Sequence, residues 1–576
     1  MLLLRPRCGS TATISLIRSA WPVLPAWSVL SAFTACASPP RPADLVVFGR
    51  VWTGDSTTPW ASAVAISGDT VTAVGDSAAL SRLIGQKTRV LANGQAMVVP
   101  GFMDDHVHFM DGGFQLAGVD LRPASSPSEF IGRLKDFAAE RRPGEWIIGG
   151  DWDHERWPGT PLPRREWIDS VTPNNPVFVQ RLDGHMGIAN SLALRLAGII
   201  KATKDIPGGV IVRESKTGEP TGVLKDEAMN PVFAAIPAPT AGQRDAALGR
   251  ALAYAAAKGV TAIAYVSVPF ADLGAFQRAK AAGRLTLRAA LFFPLSEWKW
   301  VADTVAAMGR GDDWLRIGGV KGQVDGSLGS TTALFYHPYD DEPTTSGLLT
   351  TPEGWLRRWI GAADSAGLQV AVHAIGDRAN GLLLDIYDSV AKAHGPKDRR
   401  FRIEHAQHLR PQDIGRMARM GVIASMQPYH TIDDGRWAQK RIGPERIKTT
   451  YAFRSILETG GHLAFGSDWT VAPIDPILGI YAAVTRRTID GKNPVGWVPG
   501  QKVSVEEALR AYTVENAYGV FAERTRGMLK PGYLADLVLL DQDLTAIPAE
   551  AIEGVQVRAT VVGGKVVYEL REWGTE

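Results

Sequence analysis

The amino-acid sequence predicts an α/β chain, a (β/α)8 barrel joined to a small β-sandwich drawn from both termini. Three observations predict it. Eight short apolar runs in the middle of the chain end in polar residues and alternate with helical segments, the rhythm of a parallel barrel. Both ends instead read strand, turn, strand. The stretch between the first two central runs is far too long for one crossover helix, so an inserted subdomain is expected there.

The leader comes first. Arg5, Arg7 and Arg18 supply positive charge, and Trp21 to Ala35 is mostly apolar, with the length of a signal core and too short to cross a bilayer comfortably. Phe33-Thr34-Ala35-Cys36 resembles a bacterial lipoprotein signal, with Phe33 where Leu is usual. Ala35-Cys36-Ala37 equally fits an ordinary small-x-small cleavage site. Residues 1–37 are therefore expected to direct export to the periplasm or cell envelope. Cys36 is the candidate lipidation site, through which the chain would attach to a membrane. Ser38 to Pro42 reads as an exposed linker.

Residues 41–96 hold two alternating patterns, Asp44 to Val51 and Ala63 to Val74, the second broken by a Gly68-Asp69 hairpin signal. Residues 525–576 match them with Ala535 to Asp541 and Val557 to Tyr568, turning at Gly563-Gly564. The barrel is expected over 97–500, on the runs Met97 to His108, Gly259 to Ser267, Leu285 to Phe293, Ile317 to Asp325, Leu368 to His373, Phe401 to His405, Val422 to Gln427 and Leu463 to Asp468. Helical patterns such as Ala246 to Lys258 and Gly354 to Ala366 lie between them. The insertion covers about residues 110–240.

Composition narrows the chemistry. The 576 residues exceed what one core usually organises, and 45% hydrophobic with 21% charged residues is ordinary globular usage. A net charge of +2 without a basic run argues against a nucleic-acid partner. The two cysteines, Cys8 and Cys36, precede the folded body, which therefore has neither disulfide nor thiolate metal site. Any metal must be held by His, carboxylate or a modified side chain.

Asp104-Asp105-His106-Val107-His108 ends the first run. Side chains two apart on a strand share a side, so His106 and His108 can converge on one ion. His373 ends the fifth run, His405 the sixth and Asp468 the eighth, where barrel active sites sit. Four His and one Asp at the tips of strands 1, 5, 6 and 8 can surround one small volume and suit Zn²⁺ or a similar ion with a place for water. Lys321, inside the fourth run, is costly in a barrel strand unless paired or modified. Two readings stand: a carbamate formed with CO2, able to bridge two metal ions, or a lysine paired with Asp325 or another barrel carboxylate.

These residues resemble the ligand set of the amidohydrolase superfamily. Lys321 to Thr332, His373-Ala374-Ile375-Gly376-Asp377-Arg378-Ala379, Arg402-Ile403-Glu404-His405-Ala406-Gln407 and Ser425-Met426-Gln427-Pro428 are similar to its third subfamily. So are Asp183-Gly184-His185 with Asn190-Ser191, Thr221-Gly222-Val223-Leu224 and Gly466-Ser467-Asp468-Trp469. That subfamily's best-known members are N-substituted formamide deformylases, and the likeness spans about residues 43–570. Two departures stand out: Thr331 where Arg often follows the Gly-Ser pair, and Gly322-Gln323-Val324 in place of a more hydrophobic stretch.

The resemblance implies one or two divalent ions of zinc type. His106 and His108 would hold the more buried ion and His373 and His405 the other, with carbamylated Lys321 bridging and Asp468 touching the buried ion. It implies hydrolysis of a C–N bond in a small amide, N-formyl compound or cyclic amide by hydroxide from bound water, with Asp468 moving the proton. His185 either reaches over the mouth to the carbonyl oxygen or caps the helix near Asn190. Gln427, His430 and Trp469 are candidate substrate contacts, and Trp152, Trp157 and Trp469 candidate apolar pocket walls. The alternatives are an esterase or lactonase, a ring deaminase, and a non-catalytic envelope lipoprotein that binds small molecules.

Overall fold

A computed structural model describes residues 41–570. The leader and Cys36 lie outside them. The eight central runs form one parallel eight-stranded sheet, in chain order around the barrel: Phe102–Val107, Val260–Val266, Arg288–Pro294, Leu315–Gln323, Gln369–Ala374, Arg402–His405, Ile423–Met426 and His462–Phe465. Helices such as Phe270–Ala281, Trp298–Met308, Glu353–Ser365 and Asp377–His394 return the chain from one strand to the next. This is a (β/α)8 barrel, nearly closed. Helix Ala241–Ala257 starts earlier than its apolar pattern because Thr240 and Gln243 form a capping box.

No ladder joins the first and eighth strands; other bonds close that seam. The Asp468 N–H donates to the His106 carbonyl at 2.7 Å and the His108 N–H to the Trp469 carbonyl at 2.8 Å. The Asn516 side chain, from helix Val514–Gly519, accepts from Phe465 N–H and donates to the carbonyls of Met103 and Phe465 at 2.6 and 2.7 Å. Gly466 lets the strands approach: a Cβ there would lie 2.5 Å from the His106 nitrogen.

The first run divides at Pro100-Gly101, inside what reads as one apolar stretch. Arg89–Pro100 belongs to the terminal sheet, with Pro100 opposite Leu537 and Val98 opposite Leu539, and the barrel strand begins only at Phe102. Gly101 carries the crossing, its N–H held by the Asp536 carbonyl at 2.9 Å. The terminal strands fold over one shared core, in which Val71 from one end packs with Val561 and Val566 from the other. They make one seven-stranded sheet, in the order Lys565–Glu569, Val557–Val562, Leu537–Leu540, Arg89–Pro100, Leu45–Trp52, Trp60–Ser67, Thr70–Gly75. It curls until Val71 exchanges backbone bonds with Tyr533 and Gly532.

Between the first two barrel strands lies a third sheet of six strands: Gly209–Arg213, Pro220–Asp226, Met186–Ala189, Val177–Arg181, Ile147–Trp152 and Val119–Asp120. It has its own core, which includes Trp152, Trp157, Phe130 and Leu134.

Candidate metal centre

Strand tips bring the ligand candidates together. A ligand atom from each of His106, His405 and Asp468 lies within 4.8 Å of the other two, and all three residues are buried. His106 Nε2 is 3.4 Å and His108 Nε2 3.3 Å from the same Asp468 oxygen. The His405 ring stands 4.8 Å from His106 and 4.5 Å from His373. His405 therefore sits between His106 and His373, which the resemblance assigns to separate ions. His108, Lys321, His373, His405 and Asp468 line one cavity of about 300 Å³, open to solvent.

The local backbone is unusual at the tips. His405 and Asp468 have φ of 74° and 58°, the left-handed region that costs a residue with a Cβ about 1–2 kcal/mol. In the first strand Ile263 faces Asp104 and Tyr265 faces Val107, so one extra residue bulges between them. The bulge turns both Asp105 and His106 to the inside, which simple alternation does not allow.

Each imidazole is tied at one nitrogen, which leaves the other free. His106 Nδ1 meets Glu404 Oε2 at 2.5 Å, and Glu404 is fixed by Arg402 at 2.7 Å and Ser425 at 2.8 Å. Arg402 in turn holds Asp105 at 2.8 Å. His405 Nδ1 meets Gln427 Oε1 at 2.7 Å, and His373 Nε2 meets the Gly326 carbonyl at 3.2 Å. Acceptors at those atoms place the ring protons on them, so His106 Nε2, His405 Nε2 and His373 Nδ1 carry the lone pairs. Burial, with His373 and His106 adding to it, holds His405 well below the usual histidine range; burial with His185 and Lys321 does the same for His373. Burial pushes Asp468 up, but His106 and His108 outweigh it and keep the carboxylate ionised.

The donor set fits a metal. His106 Nε2 and Asp468 Oδ1 are both buried and lack a hydrogen-bond partner among the described residues, a deficit of about 1–3 kcal/mol each that a cation between them would remove.

Lys321 is buried and forms no hydrogen bond or ion pair with any described residue; burial lowers its pKa although Glu404 and Asp468 pull the other way. The pairing with Asp325 is not made. Asp325 accepts instead from the N–H groups of Leu334, Ile375 and Gly376, tying the loop after the fourth strand to that after the fifth.

His185 faces the centre from the inserted sheet, its ring 5.2 Å from that of His373 and its Nδ1 2.6 Å from Asp226. Burial works against its charge, but Asp226 more than offsets this and raises the pKa. The helix near Asn190 is capped by Asn190 itself, not by His185. His430 lines an adjoining recess, stacked 6.4 Å from His405.

Four aromatic and polar expectations are corrected. Gln427 is fully buried behind His405 and bonds that ring rather than facing the cavity. Trp469 is buried beneath the strand tips, against Phe109, Tyr254 and the space at Gly112, which a Cβ would close. Trp152 and Trp157 stack in the core of the insertion, their indole N–H groups on the carbonyls of Val179 and Ala124. Bulk alone told pocket wall from core in none of these. Thr331 accepts from Arg441, which brings a guanidinium to that loop from another segment.

The amidohydrolase family model matches residues 92–568. The chain belongs to the amidohydrolase family. This amidohydrolase is 41% identical to Protein LONG AFTER FAR-RED 3 of Arabidopsis thaliana, across 94% of each chain. It is 28% identical to the N-substituted formamide deformylase of Arthrobacter pascens, across 91% of this chain and 98% of that one. Among solved structures it is similar to a metal-dependent hydrolase from Pyrococcus horikoshii, with a TM-score of 0.71 and 29% identity over 88% of this chain and 99% of that one.

Proposed function

We propose that this amidohydrolase cleaves a C–N bond of a small amide, N-formyl compound or cyclic amide at a centre of one or two zinc-type ions. The observation that carries the reading is the convergence of three tautomer-fixed imidazoles and Asp468 on one buried volume. Likeness to a formamide deformylase supports the bond class. His106, His108, His373, His405 and Asp468 would hold the metal, with a carbamate on Lys321. Bound there, a divalent ion supplies an acidified water and polarises a carbonyl.

The chain's own groups do the rest. The desolvated Lys321 amine has an enlarged neutral fraction, the form that adds CO2. Asp468, ionised and at the cavity floor, takes the proton of the attacking water and delivers it to the leaving nitrogen. His185, held by Asp226 at Nδ1, presents Nε2–H toward the carbonyl oxygen as charge builds there.

Purified protein supplied with zinc and bicarbonate should hydrolyse members of an N-formyl and N-acyl library, and a chelator should abolish the activity. Turnover that survives complete metal removal overturns the proposal. Hydrolysis of lactones or esters with none of any amide moves it to an esterase. We propose in addition that the leader directs export and that Cys36 is lipidated; the intact mass of the mature N-terminus tests both.

A further inference from the structure

The inserted sheet turns one carboxylate into the cavity and leaves it without a full partner. Strand Ile147–Trp152 keeps step with Val177–Arg181 as far as Gly150 opposite Gln180, then slips, so that Trp152 faces Arg181 and Asp151 faces nothing. Gly149, Gly150 and Asp151 have φ of 103°, 120° and 60°. Gly150 is required for that path, since a Cβ would lie 2.9 Å from the Gln180 carbonyl. Bulges of this kind re-aim a side chain next to active sites. Here the residue that is re-aimed keeps a Cβ in a left-handed conformation.

Asp151 lines the same cavity as His108, Lys321, His405 and Asp468, and is only 7% exposed. It accepts no hydrogen bond from any described residue. Among the described residues the cation that approaches it is Arg122, whose Nη2 is 3.9 Å away and already donates to the carbonyls of Thr470 and Val471 at 2.6 Å each. Those carbonyls belong to the loop just beyond Asp468, so the carboxylate stands beside the proposed reaction site.

The surrounding charges point the same way. Asp226 Oδ2 is buried with no hydrogen-bond partner. Asp111, one helical turn past His108, is exposed to the cavity and makes no hydrogen bond or ion pair with a described residue. Among the described residues no Lys or Arg other than Lys321 and Arg181 lines the cavity, and Arg181 is bound to Asp183 and Asp153. A carboxylate on the substrate would meet this field unfavourably; a cation would satisfy it.

We propose that the substrate carries a cationic group, a primary ammonium or guanidinium, several bonds from the scissile C–N bond, and that Asp151 receives it. This rests on the hydrolase reading above. The test uses the full zinc-loaded chain and three matched probes: monoacetylated diaminobutane, N-acetylpentylamine and N-acetylaminopentanoate. Calorimetric binding and kcat/KM are measured for each.

Charge-assisted hydrogen bonding predicts that the ammonium probe binds about tenfold or more tighter than its neutral isostere, with the carboxylate weakest. In Asp151→Asn that ratio should shrink to about threefold or less, with part of it restored in Asp151→Glu. In the unaltered protein the ratio should also fall between about 0.05 and 0.5 M salt. Equal binding of ammonium and neutral probes, a ratio that survives Asp151→Asn, or a ratio indifferent to salt overturns the proposal. Asp151-dependent binding with no hydrolysis of any amide supports it while removing the hydrolase reading. Amide hydrolysis blind to charge does the reverse.

Discussion

The rim that carries His106, His405 and Asp468 and the wall that carries Asp151, His185 and Asp226 face one cavity but are held in different ways. On the rim the supports come in layers: His106 leans on Glu404, Glu404 on Arg402 and Ser425, and Arg402 on Asp105, all buried. On the wall the supports are a single layer deep. Asp226 has a φ of 46° and meets His185 at Nδ1 through its carboxylate and at the carbonyl through its own N–H, and Asp151 projects from a bulge. The rim resists displacement, whereas the wall can change one residue at a time without disturbing the ions. Under the proposed function, position of the metal and choice of substrate would thus be separable.

The largest effect that can break this separation is expected at Lys321. Lys321→Ala should lower kcat/KM by about a thousandfold or more and reduce bound metal, with partial rescue by a short carboxylic acid. Unchanged metal stoichiometry would remove Lys321 from the rim. Next, His185→Asn should lower kcat by roughly a hundredfold while metal content by atomic absorption stays that of the parent. Metal lost together with activity would show that the wall and rim are one unit.

Glu404→Gln sharpens the comparison from the other side. It should weaken zinc binding by about 10–100-fold, read by competition with a chromogenic chelator, because the acceptor that orients His106 changes from a carboxylate to a weaker, neutral amide oxygen. It also leaves Arg402 short of a carboxylate, so the melting temperature should fall, by the scale of a broken buried pair, about 3–5 kcal/mol. The smallest effect is expected at the seam. Asn516→Ala removes three hydrogen bonds to strand ends and should cost about 1–3 kcal/mol in urea unfolding, with metal retained.

Much of this was legible in the amino-acid order. A barrel strand must be apolar and end in something polar, so His106, His373, His405 and Asp468 announce themselves as the polar ends of apolar runs. Glu404 does not, because it lies inside such a run and its partner His106 is distant in sequence. The signal was Arg402 two residues before it, opposite charges on one side of a buried strand. The division at Gly101 was hidden because two sheets make the same demand for apolar residues on either side of it. Asp151 was hidden for another reason: a bulge is a fault in register between two strands, and register belongs to neither strand alone. Gly149-Gly150 marked the place without saying which way the next side chain would turn. Gln427 and the tryptophans show that residue type fixes neither depth nor direction.

The stitch made by Asn516 has a consequence for biosynthesis. Asp468 takes its place against His106 at an edge that is sewn shut by an amide encoded well downstream of either residue. A nascent chain that has already exposed every histidine of the centre still lacks the clasp, and the seam beside them is completed only once Asn516 has been made.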